Sequence, residues 1–423
     1  MAPRVSIIIP VFNRVEYTEA CLRALAEHTP IAPAFELIIV DNASSDGTRE
    51  LLAQLDGNVV VHRNNENLGF AKACNRGAQL ASGEILVFLN NDTEVHSGWL
   101  APLIDELETQ TNTAVVGSRL LYPDGSIQHA GVAIGRDQIP YHVHSGVAAD
   151  DPRVTERRAF AIVTAACAAV RRDEFFEFGA FDEGFINGHE DIDLCMRFRE
   201  RGRDVIYRPD SVVTHHESVS EGRMDKRPHN VARTFAKWRE ALVQDDFRYQ
   251  FAESERARAQ HPRRFAIKIG TPDRTLDNWG DIYFAECLAK SLCRAGHLCE
   301  IHYLNEWGRD DHAIDVAIHI KGLSEYVLKP HSLNVMWMIN HPELHRDEEL
   351  ERYDAIFVAS RTHADTLARR LSVPVVYLPQ ATDPDHFIPH EREKRWDLVF
   401  VGNNKGVGRQ DMRRIVRDVL PTR

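Results

Sequence analysis

Two α/β domains, the first built on a parallel sheet, are what this 423-residue sequence predicts. Three observations carry that expectation. Short β-rich runs alternate with stretches of helical apolar spacing, and the alternation occurs twice. A basic-rich, helix-compatible segment with few β-branched residues separates the two series. Hydrophobic residues make up 43% and charged residues 27%, the balance of a globular chain.

The first series runs from residue 5 to about 120. VSIIIPVF (5–12) reads as a strand and EYTEACLRALAEHT (16–29) as a helix. FELIIVDNAS (35–44) is a second strand ending in a polar turn, with a helix near 46–55. NVVVHRN (58–64), GFAKACNRGAQLA (69–81) and EILVFLNND (84–92) continue as strand, helix and strand. The alternation implies a parallel sheet covered on both faces, with polar chemistry at the strands' C-terminal ends.

Residues 115–220 are less regular. They contain the turn YPDG (122–125), the apolar stretch AFAIVTAACAAV and the acidic helix start HEDID (189–193). DVIYRPDSVVTHHES (204–218) reads as a strand running into a histidine-bearing loop. Residues 223–262 are expected to be a helical connector, more often solvated than lipid-facing. The second series opens at RRFAIKIG (263–270), with a helix at 281–295. Strands follow near 298–304, 314–320 and 333–338. YDAIFVAS (353–360), a helix at 362–371 and PVVYLP (374–379) continue it, and DLVFVGN (397–403) opens a further unit that is expected to be incomplete. The expected domains are therefore 1–222, 223–262 and 263–423.

Charge and cysteine usage narrow the function classes. Acids outnumber bases 63 to 51, a net charge of −12, which argues against a nucleic-acid binder. Seven scattered cysteines with no CxxC pair argue against a disulfide framework or zinc site and suit a reducing cytoplasm. No apolar run is long enough to span a bilayer, so the expected location is cytoplasmic, with at most peripheral contact at the inner face of the plasma membrane.

Several polar loops directly follow buried strands. Asp41 and Asn42 end the second strand, where a carboxylate can accept the imide N–H of uracil or thymine; capping of the next helix is the competing reading. In NENLGFAKACNRG (65–77), Gly69 permits a tight turn while Asn67 and Asn75 offer neutral donors and acceptors. Asn90-Asn91-Asp92 leave a carboxylate at a strand tip, suited to Mg²⁺ or Mn²⁺ completed by phosphate and water; a plain turn residue is the competing reading, and the commoner one for a lone Asp. Glu190, Asp191 and Asp193 crowd one helix start, where capping suits Asp193 and Asp191 can serve as a general base.

Taken in order, SIIIPVFNR, IIVDNASSDGT, NENLGFAKACNRG, VFLNNDTEV, GAFDEGFINGHEDIDLCMR and THHESVS resemble the family-2 glycosyltransferases of GT-A fold over about residues 4–240. The likeness is to the bacterial polysaccharide branch with rhamnosyl- and galactofuranosyl-transferases. The resemblance implies a donor pocket with Pro10, Val11, Asn13, Asp41, Asn42 and Asn91, and a sugar-phosphate side with Asn67, Gly69 and Asn75. Asp92 matches the last acid of the family's metal motif, whose first acid is here Asn90. His216 matches the metal-site histidine, with His215 the near alternative; Asp191 matches the catalytic base, and Glu190 orients the acceptor or supports the helix start.

The implied reaction is single displacement with inversion, dependent on Mg²⁺ or Mn²⁺. The implied donor is a dTDP- or UDP-linked, rhamnose-like nucleoside-diphosphate sugar. The acceptor would be a hydroxyl of a bacterial surface glycan, lipid-linked or not, with other polysaccharide-assembly enzymes as partners. A non-catalytic nucleotide-sugar scaffold and a nucleotidyltransferase are the alternatives. Residues 263–423 resemble an incomplete Rossmann-like half of a family-4-type GT-B enzyme, read as an acceptor-side or docking module or as the remnant of a longer bifunctional chain.

Overall fold

The apolar run at the start of the chain becomes β1 (Val5–Val11), and every one of its residues is buried. The computed structural model describes residues 4–30, 34–216, 226–276, 280–309, 313–340 and 344–380. After β1 come β2 (Phe35–Asp41), β3 (Val59–Arg63), β4 (Ile85–Leu89), β5 (Thr93–Val95) and β6 (Thr113–Leu121). The helices among them are α1 (Val15–His28), α2 (Thr48–Leu52), α3 (Phe70–Leu80) and α4 (Leu100–Thr109). β7 (Ile127–His129), β8 (Val132–Ile134), β9 (Pro140–His142), β10 (Arg158–Phe160), β11 (Cys167–Arg171), α5 (Arg172–Glu177), α6 (Glu190–Glu200) and β12 (Asp204–His215) follow.

Ten strands form one sheet, with the path β10-β12-β6-β11-β4-β1-β2-β3, β5 beside β12 and β7 beside β6. Alternate residues divide between its two faces. Ile8, Ile38, Val40 and Phe88 pack with Cys74 and Ala78 of α3 on one side. Ile7, Ile9, Ile39 and Leu89 pack with Cys21 and Leu25 of α1 and Leu103 of α4 on the other. The α3 contact is close enough to require glycine: a Cβ at Gly77 would lie 2.4 Å from a methyl of Ile8.

The sheet is mixed, not wholly parallel. β1, β2, β3 and β4 pair in parallel, but β11 runs antiparallel to both β4 and β6. The helix-per-strand rhythm stops after α4. Without a crossover helix between β6 and β11 the chain returns in the opposite direction.

The second sheet is parallel throughout. It contains β13 (Arg264–Lys268), β14 (Leu298–His302), β15 (Val316–Lys321), β16 (Leu333–Met338), β17 (Ala355–Val358) and β18 (Val375–Tyr377), ordered β14-β13-β15-β16-β17-β18. α7 (Arg227–Trp238) precedes it, and α8 (Gly280–Arg294), α9 (Asp347–Leu350) and α10 (Arg361–Ala368) connect its strands. Ile267, Ile301 and Ile318 pack with Ile282 and Ala289 of α8. The strand expected at 397–403 lies outside the described residues.

Between the sheets, α7 and the chain after it are packed rather than solvated. Trp238, Leu242 and Tyr249 join the first sheet's core, and Phe247 joins the second's. Tyr249 stacks on Phe160 with ring centroids 4.1 Å apart. Gln138 donates its amide to the carbonyls of Arg239 and Leu242. Asp245 accepts the Ile134 N–H at 2.7 Å in a buried position.

Burial raises the Asp245 carboxyl to about 6 despite the nearby Arg248 cation. A raised carboxyl holds its proton in the folded state after the unfolded chain has lost it. Wild-type stability relative to Asp245→Asn should therefore fall as pH rises from about 4 to about 6, by at most about 3 kcal/mol, and be level above that. Denaturation midpoints of both proteins at pH 4.5 and 7.5 measure the difference; a gap independent of pH would contradict it.

Candidate active site

The C-terminal ends of β1, β2 and β4 converge on a cavity of about 910 Å³. Strand order reverses between β1 and β4, the place where an open α/β sheet leaves a crevice. Pro10, Val11 and Asn13 come from the end of β1, Asn42 from β2, Asn67 and Gly69 from the start of α3, and Asn91 and Asp92 from beyond β4. Glu190, Asp191 and His215 complete the sequence-derived residues that line it.

The loops beyond β1 and β2 hold one another. Asn13 donates its N–H to Ser44 Oγ at 2.8 Å and accepts the Ser45 N–H at 2.7 Å. Asn13, Arg14 and Ala43 all have left-handed backbone angles, which this cross-linking sustains. Asn42 donates to the Gly69 carbonyl and accepts from Asn64, so the third loop is tied in as well.

Asp41 and Asn75 stand outside the cavity lining, for definite reasons. Asp41 is buried, accepts the Ser44 N–H at 2.8 Å and pairs with Arg63 through its other oxygen. It shapes the turn; Asp46 is the residue that accepts the Thr48 N–H at the start of α2. Asn75 exchanges hydrogen bonds with both the N–H and the carbonyl of Phe181, fastening α3 to the loop before α6.

The metal-motif strand tip places Asp92 Oδ1 3.1 Å from His215 Nε2. Both side chains are buried. His216, given the metal role in the sequence reading, instead lies outside the lining, with Nε2 2.7 Å from Glu94 and its ring 5.2 Å from that of Tyr17. The cause is strand register: His215 pairs with Thr93 across β12 and β5, which brings its side chain to Asp92. Asn90 lies beside them, its amide nitrogen 3.3 Å from His215 Nε2 and its buried Oδ1 without a hydrogen-bond partner.

These residues fit a divalent cation. A carboxylate, an imidazole and an orphaned amide oxygen are donors that Mg²⁺ or Mn²⁺ accepts. Among the described residues no three His, Cys, Asp or Glu side chains form a metal-holding group.

The opposite wall is a strained turn. Asn187, Gly188 and His189 have φ of 50°, 153° and 72° in succession, immediately before Glu190 and Asp191. Glu190 Oε2 accepts the Gly188 N–H at 2.7 Å and so braces the turn. Asn187 accepts the Phe70 N–H, and α7 supplies Asn230 to Ile186 and Thr234 to His189. Asp191 lines the cavity and accepts the Ala165 N–H at 3.2 Å. Asp193 is fully buried and reaches α7 and its own helix, accepting from Trp238 and Arg197, rather than capping.

Nucleophilic cysteine chemistry does not suit this wall. Burial, with the charge of Glu190 nearby, holds the Cys74 thiol well above its ordinary value. Burial likewise pushes Cys195 up to about 12. Burial, then His142 and His215, holds the His129 imidazole well below its ordinary value, so it is neutral. Gln128, His142, Asn187 and His189 line the cavity but were given no role in the sequence reading. Asn187 and His189 lay within the quoted motif GAFDEGFINGHEDIDLCMR, whereas nothing in the sequence set Gln128 apart.

Residues 6–173 match the family model described as glycosyl transferase family 2. The chain carries a glycosyl transferase family 2 domain. It is 34% identical over 234 residues to the O-antigen biosynthesis protein RfbC of Myxococcus xanthus, covering 53% of this chain and 18% of that protein. It is 28% identical over 227 residues to the N-acetylglucosaminyl-diphospho-decaprenol L-rhamnosyltransferase of Mycobacterium tuberculosis, covering 47% of this chain and 71% of that one. A solved structure of GalNAc-T7 with UDP, GalNAc and Mn²⁺ is similar at TM-score 0.46 and 20% identity, over 59% of this chain and 51% of that one. With 25% coverage of an uncharacterized Sinorhizobium fredii protein and 18% of RfbC, the chain spans a quarter or less of the first curated relatives it matches.

Proposed function

We propose that the chain is an inverting, metal-dependent glycosyltransferase that moves a sugar from a nucleoside diphosphate to an acceptor hydroxyl. One observation carries the reading: Asp92 with His215, and Asp191, line the same cavity at the C-terminal ends of the GT-A-like parallel strands. A bound divalent cation would supply neutralising charge for the departing diphosphate. Asp92, His215 and Asn90 would hold it. Asp191 accepts the proton of the attacking hydroxyl, because it lines the cavity and is only partly buried, while Glu190 is buried and braces the Gly188 N–H. Attack opposite the leaving group, with one base, inverts the anomeric carbon.

A rhamnose-like sugar and a bacterial surface glycan acceptor are supported by the names of the RfbC and rhamnosyltransferase relatives, and the dTDP or UDP carrier is carried over from the family resemblance alone. No helix among the described residues is long and apolar enough to cross a membrane, which suits work in the cytoplasm or at the inner face of its membrane. The second sheet, six parallel strands, is read as the first half of a GT-B unit that docks the acceptor.

The test is a thermal-shift screen of UDP, dTDP and GDP with and without Mn²⁺, then anomeric analysis of product from the donor so identified. Metal-dependent stabilisation and an inverted product support the proposal. Binding with no turnover on any lipid-linked glycan leaves the non-catalytic scaffold, and retention of configuration defeats the single displacement.

A further inference from the structure

Gln128 sits in β7, is buried, and makes two contacts to one residue. Its side-chain nitrogen donates to the His215 carbonyl at 3.1 Å, and its side-chain oxygen lies 2.6 Å from His215 Nδ1. The first contact decides the second. A backbone carbonyl only accepts, so the amide nitrogen must face it, which turns Oε1 toward the ring. An amide oxygen also only accepts, so Nδ1 carries the hydrogen. In the neutral imidazole Nε2 is then the bare nitrogen.

That bare nitrogen is the one 3.1 Å from Asp92 Oδ1. Two lone pairs at this distance repel one another unless a positive group lies between or beside them. Asn90 Nδ2, 3.3 Å from Nε2, is a neutral donor and relieves the contact only in part. Gln128 is itself held, since its backbone carbonyl accepts from His142 Nδ1 at 3.0 Å, assigning that ring's hydrogen in the same way.

We propose that Gln128 is a positioning residue for metal binding: it locks His215 in the Nδ1–H form and so presents Nε2, with Asp92, to a divalent cation. The inference rests on the reading of Asp92 and His215 as metal ligands. Residues that orient a metal-binding imidazole typically govern affinity 10–100-fold.

The experiment titrates the purified full chain with MnCl₂ and reads free Mn²⁺ by electron paramagnetic resonance. Gln128→Leu should weaken Mn²⁺ binding by about 10–100-fold. Gln128→Glu keeps an acceptor for Nδ1–H while losing the donor to the carbonyl, and should stay within a few-fold of wild type. A merely structural glutamine would make both variants fail alike. Wild-type affinity in Gln128→Leu, or equal loss in both, overturns the proposal. Should Gln128→Leu not fold, the ¹⁵N spectrum of the metal-free wild type decides, with the His215 signals assigned by their loss in His215→Gln. A protonated Nε2 overturns the proposal and a bare one supports it. Asp92→Ala separates the two levels: unchanged Mn²⁺ binding there removes the metal reading itself, whereas loss there with intact Gln128→Leu removes only the role of Gln128.

Discussion

Asp191→Asn should lower turnover by about 10²–10⁴-fold, the usual worth of a positioned general base, with donor affinity unchanged. Asparagine keeps the side chain's shape and one acceptor oxygen, enough for the Ala165 N–H though not for the Ile192 N–H as well. What it loses is the capacity to take a proton. Glu190→Gln should be milder on turnover, because its bond from Gly188 survives when an amide oxygen replaces the carboxylate. Initial rates and donor affinity for each variant separate the roles. Near-normal rates in Asp191→Asn would dismiss it as base, and a larger loss in Glu190→Gln would move the role one residue back.

Asp92→Ala should abolish the Mn²⁺-dependent part of nucleoside-diphosphate binding, by more than about 100-fold, since outer partners of a metal site alone are worth 10–100-fold. The fold should survive. Asp92 sits in the loop between β4 and β5, whose apolar faces are buried independently of its carboxylate. Its removal also ends the apposition of a carboxylate with His215, so thermal stability without metal should be little changed. Calorimetric titration with UDP or dTDP, with and without Mn²⁺, measures the effect. Equal metal enhancement in both proteins would place the cation elsewhere.

Much of this was legible along the chain because it depends on local periodicity. Continuous apolar runs ending in polar turns located β1, β2 and β4, and the loops that follow them do line one cavity. Glycine at position 69, with φ of 80° at the entry to α3, was similarly readable from its neighbours. The antiparallel β11 was not, since an apolar run carries no direction and only the missing crossover helix hinted at it.

The residues alone determined the strand–helix order, the polar loops and the acids Asp92 and Asp191 at their ends. Tertiary structure decided which neighbouring groups face the cavity. His215 and His216 are adjacent and chemically alike, and their difference comes from the pairing of His215 with Thr93, residues more than a hundred positions apart. Asp41 and Asn75 looked like hydrogen-bonding partners of a ligand, yet Arg63 and Phe181, brought in by β3 and by the loop before α6, occupy them. Gln128 had no motif at all, and its place against His215 arises only when β7 folds onto β6 beside β12. Spacing along one element fixes the face on which a side chain lies; what meets that face depends on sheet order and register, set by packing distant segments around common cores.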